Sequence, residues 1–335
     1  MSSVIDVFLM WVAATTAILV ATIRRLLLGP TMPTWTWRTE LAVASARSVI
    51  EVAARHRGSA IINRFGLRIT TPVPLDLRKR VDVRRVTIGE VEADRYIPAN
   101  QFHASRNLLY FHGGGYVFGN PGTHRQFIAR LTDATQAAAL APRYRLAPDH
   151  RYPAAVDDAL ASYRTLLGAG AHASSIVVAG DSAGGGLAMA LLVRLRAEGL
   201  PMPSGAMLFS PYLDLEHTGW SIRANARTDY LPLSELTRPN DWYASIDQLH
   251  LPEVSPVHAD LTGFPPLLVF AGGAEMILAD SLRLAENAEK AGTEVELIIE
   301  PEMMHVWPAI ADWEPATARA LAAAVTWIDH LPQPD

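Results

Sequence analysis

Past Val83 the chain alternates between short apolar runs and longer stretches whose apolar residues return every three or four positions. The short runs, bounded by Gly, Pro and polar residues, predict strands at residues 84–88, 91–97, 108–112, 137–142, 176–180, 206–210, 267–271 and 294–299. The longer stretches predict helices at residues 124–132, 154–167, 185–198, 279–291 and 316–330. Two early strands without a helix between them, then regular strand–helix alternation, predict an α/β architecture with a mostly parallel central sheet and helices on both faces. Residues 215–255 break that rhythm: they are rich in Trp, Tyr, Asn and Pro and read as a lid-like insertion on the substrate side. Residues 29–80, with Pro, Trp and basic residues and an amphipathic stretch near 40–55, read as a cap, leaving 81–335 for the α/β domain.

Residues 1–28 follow a different pattern. Val7 to Ile23 is a run of 17 residues without charge, preceded by Asp6 and followed by Arg24 and Arg25. As a helix it spans roughly 26 Å, slightly less than a bilayer core of about 30 Å. A basic stretch ahead of the run and a clear cleavage site after it are both missing, which weighs against a cleaved leader. A membrane anchor, or a helix lying on a membrane or on the protein's own lid, fits the pattern better. An anchor through residues 5–25 would leave the rest of the chain cytoplasmic by the excess of arginine on its C-terminal side.

Composition narrows the function classes. The 335 residues are half apolar, enough for a large core with added cap elements. A net charge of −5 without any Lys/Arg block gives no footing for nucleic acid. With no cysteine, disulfides, thiol catalysis and Cys-ligated metals are excluded.

Two strings carry the chemistry. Gly180-Asp181-Ser182-Ala183-Gly184 follows the apolar run Ile176-Val177-Val178-Ala179 and opens a helical stretch. Strand, tight turn with Ser at its tip, then helix is the context of a nucleophile elbow. His112-Gly113-Gly114-Gly115 ends another apolar run, Leu108-Leu109-Tyr110-Phe111. Such a loop presents backbone N–H groups to an oxyanion, so Gly113 and Gly114 are expected to act with Ala183, the residue after the nucleophile. A phosphate loop does not fit: no Lys follows in Walker spacing, and no G-x-G-x-x-G is present. His112 is expected to shape the loop rather than carry protons.

In a chain order of Ser, acid, His, the base must follow Ser182. Five histidines do: His217, His250, His258, His305 and His330. His305 lies just past the last predicted strand, where the base belongs. His330 ends a helix and His258 lies in a Pro-flanked loop, so both read as surface or structural residues. The acid is Glu275, soon after the strand at 267–271 and the Gly272-Gly273 turn, with Asp280 as the alternative. Its role would be to orient the imidazole and stabilise the imidazolium.

These strings, with Tyr144-Arg145-Leu146-Ala147-Pro148-Asp149, Ser210-Pro211-Tyr212-Leu213-Asp214, Ser255-Pro256 and Pro265-Pro266, resemble the bacterial hormone-sensitive-lipase-like esterases from about Pro33 onward. The resemblance implies an α/β-hydrolase fold with an N-terminal helical cap, a Ser182–His305–acid triad, and hydrolysis of short- to medium-chain carboxylic esters without metal or organic cofactor. Many members carry Asp-Pro-Leu where this chain has Glu275-Met276-Ile277, which keeps Asp280 open as the acid. Relatives often form dimers, but no pattern in this chain marks a homodimer face. Tyr116, Trp35 and Trp220 are the leading candidates for substrate contacts, Tyr116 foremost. A lactonase or deacetylase would use the same machinery. A non-enzymatic ligand receptor, as in the plant gibberellin receptors that resemble this family, would lack the His305 found here.

Overall fold

In the computed structural model, residues 2–55, 70–89, 91–99, 106–236, 242–332 and 334 are described. Parts of the expected cap (56–69) and lid-like insertion (237–241) lie outside them. One eight-stranded sheet organises the chain in the order β1-β2-β4-β3-β5-β6-β7-β8. The strands are β1 (Val81–Ile88), β2 (Val91–Pro98), β3 (Asn107–Phe111), β4 (Ala138–Pro142), β5 (Ile176–Asp181), β6 (Gly205–Phe209), β7 (Leu267–Gly272) and β8 (Val295–Glu300). Only β2 runs antiparallel to its neighbours, β1 and β4; every other pair is parallel. The mostly parallel sheet expected from the alternation is therefore present.

Burial on both faces explains why the central strands are continuous apolar runs rather than alternating ones. Leu108, Tyr110, Val177, Met207, Phe209 and Phe270 point into one core. Their neighbours Leu109, Phe111, Val178, Leu208 and Val269 point into the other. The helices are α1 (Ser2–Leu28), α2 (Trp37–Arg55), α3 (Arg125–Thr135), α4 (Ala154–Gly168), α5 (Ala183–Ala197), α6 (Leu278–Ala291) and α7 (Pro315–His330), with shorter turns between. The first core takes side chains of α3 and α7, together with Trp35 and Val43 of the N-terminal region. The second takes those of α4, α5 and α6.

Helix α5 begins at Ala183, two residues before the expected start. Its run of three glycines has poor helix propensity, yet all three are buried beneath the turn from β5, and packing overrides propensity there.

The N-terminal region is tied down by charge. Glu40 of α2, 3 % exposed, takes Arg24 and Arg25 from the end of α1, each at 3.0 Å, and also the Thr31 N–H. Arg25 further donates to the Trp35 carbonyl at 2.8 Å. A second tie reaches across the fold: Thr34 N–H meets the Glu302 carboxylate, and the Trp35 indole donates to the Glu302 carbonyl at 2.6 Å. Thr34 and Trp35 of the cap are thus held to the loop that carries His305.

Candidate active site

Ser182 stands between β5 and α5 with φ 52° and ψ −122°, a backbone region that residues with a side chain rarely occupy. Close approaches on either side maintain it. A Cβ on Gly180 would collide with the Gly184 backbone, and one on Gly184 would collide with the Phe111 carbonyl at the end of β3. Glycine at both positions lets the turn close and presses it against the strand that leads into His112. The Ser182 N–H donates to the Phe209 carbonyl at 2.9 Å, and its carbonyl accepts from Gly186 and Tyr212. Ser182 remains partly exposed between buried neighbours. A strained, accessible Ser at a strand-to-helix turn is what the elbow reading required.

Asp181, immediately before it, is a buried carboxylate with three donors. Tyr110 Oη donates to Oδ1 at 2.6 Å, the Gly113 N–H to the same oxygen at 3.0 Å, and His124 Nε2 lies 3.1 Å from Oδ2. This corrects one expectation. The Gly113 N–H is held by Asp181 and is not free for an oxyanion. The N–H groups of Gly114 and Gly115 make no hydrogen bond among the described residues. Ala183 opens α5, where the first N–H groups have no intrahelical partner. Gly114, Gly115 and Ala183 are therefore the donors at hand. His112 behaves as expected: its ring stacks on Tyr144 with centroids 4.4 Å apart, and Nδ1 donates to the Gly113 carbonyl at 2.8 Å. Burial, helped by neighbouring His124, pushes the His112 imidazole down to about 3, so it stays neutral and shapes the loop.

His305 and Glu275 meet where the loops after β8 and β7 converge. His305 Nδ1 lies 3.6 Å from Glu275 Oε2, with both residues buried. That separation is just beyond a hydrogen bond, and among the described residues neither His305 Nδ1 nor either Glu275 oxygen has a partner within hydrogen-bond distance. The two groups face each other across that gap. Burial alone would lower the His305 imidazole. The Glu275 carboxylate, with Asp229 and Asp181 further off, reverses this and holds it above its ordinary value. Burial likewise pushes the Glu275 carboxyl up, and the facing imidazole and the Ser210 hydroxyl oppose that without cancelling it. Ser210 ends the β6 run beside the elbow and accepts the Val306 N–H at 2.9 Å, fixing the residue after His305.

Asp280 is placed elsewhere. Its Oδ2 accepts the N–H groups of Leu213 and Asp214 at 2.8 and 3.0 Å, and burial pushes its carboxyl up to about 8. It serves the turn after β6 rather than the imidazole. Of the other late histidines, His258 pairs with Glu216 at 2.7 Å and His330 is exposed, bonded to the Thr326 carbonyl. His217 stacks on Tyr212.

Sequence reading gave no role to Asp229, which lies in the 215–255 insertion. It is fully buried, and its carboxylate accepts the N–H groups of Tyr230 and Met276 at 2.7 Å and of His305 at 3.4 Å. One side chain thus holds the backbone beside Glu275 and the backbone of His305 itself. Arg47 of α2 donates to the Asp229 carbonyl and, at 2.8 Å, to that of Ala226. A lone Asp in an aromatic-rich segment carries no periodic or spacing signal, and its partners are distant in sequence.

The aromatic candidates separate. Tyr116 follows the oxyanion loop directly, with φ 65°, and stacks on Tyr243 at 3.9 Å between centroids. Its hydroxyl is buried without a hydrogen-bond partner among the described residues. Trp35, by contrast, is buried in the core and committed to Glu302, and Trp220 stands exposed at 62 %. An aromatic-rich composition does not distinguish a pocket wall from a core or surface residue; burial does.

Comparison with known proteins agrees with this fold. A sequence model of the alpha/beta hydrolase fold matches residues 108–309, from the start of the β3 run through the His305 loop. An acetyl-hydrolase of Streptomyces hygroscopicus is 44 % identical over 241 residues, covering 71 % of this chain and 80 % of that protein. An esterase of Acinetobacter venetianus is 36 % identical over 244 residues, covering 72 % and 80 %. Among solved structures, an esterase from the bacterial hormone-sensitive lipase family superposes with a TM-score of 0.73 at 31 % identity, over 94 % of this chain and 96 % of that one. The chain belongs to the α/β-hydrolase-fold esterases of the bacterial hormone-sensitive lipase family.

Proposed function

We propose that this esterase hydrolyses short- to medium-chain carboxylic esters through an acyl-enzyme on Ser182. His305 acts as general base, Glu275 orients it, and the N–H groups of Gly114, Gly115 and Ala183 receive the oxyanion. The observation that carries this reading is the coexistence of a strained, accessible Ser182 with a buried pair, His305 and Glu275, that face each other. In the first half-reaction His305 takes the Ser182 proton as Oγ bonds to the ester carbonyl carbon. The tetrahedral intermediate collapses, the ester C–O bond breaks, and the alcohol leaves with the proton from His305. Water, deprotonated by the same imidazole, then displaces the acyl group as carboxylate. An acyl chain of few carbons is supported by the Streptomyces relative, named an acetyl-hydrolase. Tyr116, between the oxyanion loop and Tyr243, is the side chain proposed to bound the acyl site.

The test is the initial rate on p-nitrophenyl esters from acetyl to dodecanoyl. Turnover peaking between acetyl and hexanoyl is expected. A maximum at the longest chains would overturn the short-chain assignment, and turnover confined to lactones or acetamides would move the substrate class.

A second reading concerns α1. Its residues Phe8, Trp11, Leu19, Val20, Ile23 and Leu26–Leu28 are exposed, while its other side lies against α2, and Phe8–Leu28 is long and apolar enough to cross a membrane. Arg24 and Arg25, near its C-terminal end, are held by Glu40, and the helix packs against α2 while the apolar side chains facing away from α2 stay exposed. Water-exposed apolar surface of this extent marks a membrane or protein contact. We infer that α1 seats the enzyme on a lipid surface. The full-length protein is expected to float with phosphatidylcholine/phosphatidylglycerol vesicles, and a Trp11→Glu/Leu19→Glu double variant to stay with the soluble fraction. Full-length protein that stays soluble beside the vesicles would sink this reading.

A further inference from the structure

His124 ends the loop before α3 and touches no group that the proposed reaction uses directly, yet its two ring nitrogens are unusually constrained. Nε2 lies 3.1 Å from Asp181 Oδ2, a carboxylate oxygen that can only accept from it. Nδ1 lies 2.7 Å from the Thr123 hydroxyl. That hydroxyl gives its proton to the Asn120 carbonyl at 2.6 Å, so toward His124 it too can only accept. An imidazole with acceptors at both nitrogens satisfies them only as the doubly protonated cation.

What the cation faces gives it a task. Asp181 adjoins the nucleophile in sequence and holds the first residue of the Gly113-Gly114-Gly115 loop by its N–H. It is buried, and its remaining donors, Tyr110 and Gly113, are neutral. A lone carboxylate so placed puts a full negative charge beneath the site where the reaction itself develops negative charge on oxygen. Oxyanion stabilisation by backbone donors would work against that field. We propose that His124 is a positioning residue for this reaction: as an imidazolium it neutralises Asp181, so that the carboxylate can anchor the oxyanion loop without opposing the oxyanion.

Other ionisable groups nearby do not replace it. His112 from the β3 end, its ring 5.7 Å away, is neutral. Tyr110 and Tyr144 are buried phenols, driven upward and neutral. Arg143, after β4, is engaged with Asp94 at 3.2 Å, and Arg125, next in the chain, with the same carboxylate at 2.9 Å. Burial alone would lower His124, but the Asp181 charge and hydrogen bond overcome it, so His124 is held above its ordinary value. Asp181, which burial would raise, is held below its ordinary value, first by the His124 charge and hydrogen bond. The sign follows: His124 loses its charge as pH rises through a value above 6.5, and activity should fall with it.

The inference rests on the Ser182 reading, and the experiment separates the two. In full-length protein, His124→Gln keeps a donor for Asp181 but removes the charge. A fall in kcat of about 10–100-fold, with KM little changed, is expected from the unbalanced carboxylate. Adding Asp181→Asn, which keeps an acceptor for Gly113 and Tyr110, should recover most of that loss, because both charges are then gone. Thr123→Val, the milder variant, removes the acceptor at Nδ1 and should move the alkaline fall in activity to lower pH. Wild-type kcat and alkaline limb in both His124→Gln and Thr123→Val would overturn the proposal. So would a double variant no better than His124→Gln, since lost shape rather than lost neutrality would then be the cause. Wild-type turnover that survives Ser182→Ala would instead overturn the reading on which the proposal stands.

Discussion

Replacing Ser182 by Ala is expected to lower kcat on p-nitrophenyl acetate or butyrate by on the order of 10⁶-fold, as loss of the nucleophile does in other serine hydrolases. The variant is a clean one for structural reasons. Ala keeps the Cβ, and the φ of 52° at this position is imposed by the surrounding contacts, not by the hydroxyl. The backbone bonds from the residue 182 N–H to the Phe209 carbonyl, and from Gly186 and Tyr212 to its carbonyl, are also untouched. The strain stored there, about 1–3 kcal/mol, stays in the fold. Stability should therefore be close to wild type while chemistry disappears. Intact-mass spectrometry supplies the second readout: an organophosphonate or sulfonyl fluoride should add once to the wild type and not to the variant. Turnover within tenfold of wild type, or labelling that persists, would place the nucleophile elsewhere and dismantle the proposed mechanism.

The positions that could be read from sequence share a property: their chemistry depends on neighbours in the chain. The Ser182 turn is written in local glycines and the apolar run ahead of it, and the central strands show as unbroken apolar segments because both of their faces are buried. His305 and Glu275, the proposed base and acid, stood out in the sequence because each follows a strand by a few residues. Features that depended on distant partners were not legible. Which glycine of the loop is free to donate depends on the Asp181 carboxylate, 68 residues away in sequence from Gly113. Asp229 acts on amides 47 and 76 residues ahead of it. The charge on His124 follows from what surrounds both of its nitrogens, and nothing in the string Thr123-His124-Arg125 reveals that. Trp35 and Trp220 show the same limit from the apolar side, since one entered a core and the other remained at the surface.

Glu275→Gln and Asp280→Asn, made side by side, should differ by orders of magnitude. Each replaces a buried carboxyl with an amide of the same shape, but only Glu275 faces His305. Glu275→Gln is expected to lower kcat by about 10³–10⁴-fold, because the amide can turn its NH₂ toward Nδ1, select the wrong tautomer and leave the imidazolium without a counter-charge. The pH profile should move as well. His305 must be neutral to accept the Ser182 proton, so activity rises with pH through its pKa, which Glu275 helps hold above the ordinary value. Without that anion the imidazolium is less stable, and the acid limb of kcat/KM should shift to lower pH. Asp229 remains in place, so the shift is partial. Asp280→Asn should keep wild-type turnover, since an amide oxygen can still accept from Leu213 and Asp214. Its effect belongs to stability. The carboxyl is raised from 3.8 to about 8, so between those pH values the folded chain keeps a proton that the unfolded chain has released. Stability contributed by that proton is present at low pH and lost as pH rises toward 8. The Asn variant lacks this loss, so its Tm should gain on wild type between pH 5 and pH 8. A collapse of turnover in Asp280→Asn, with Glu275→Gln active, would exchange the roles of the two acids and require the loops after β7 and β8 to rearrange on binding ester.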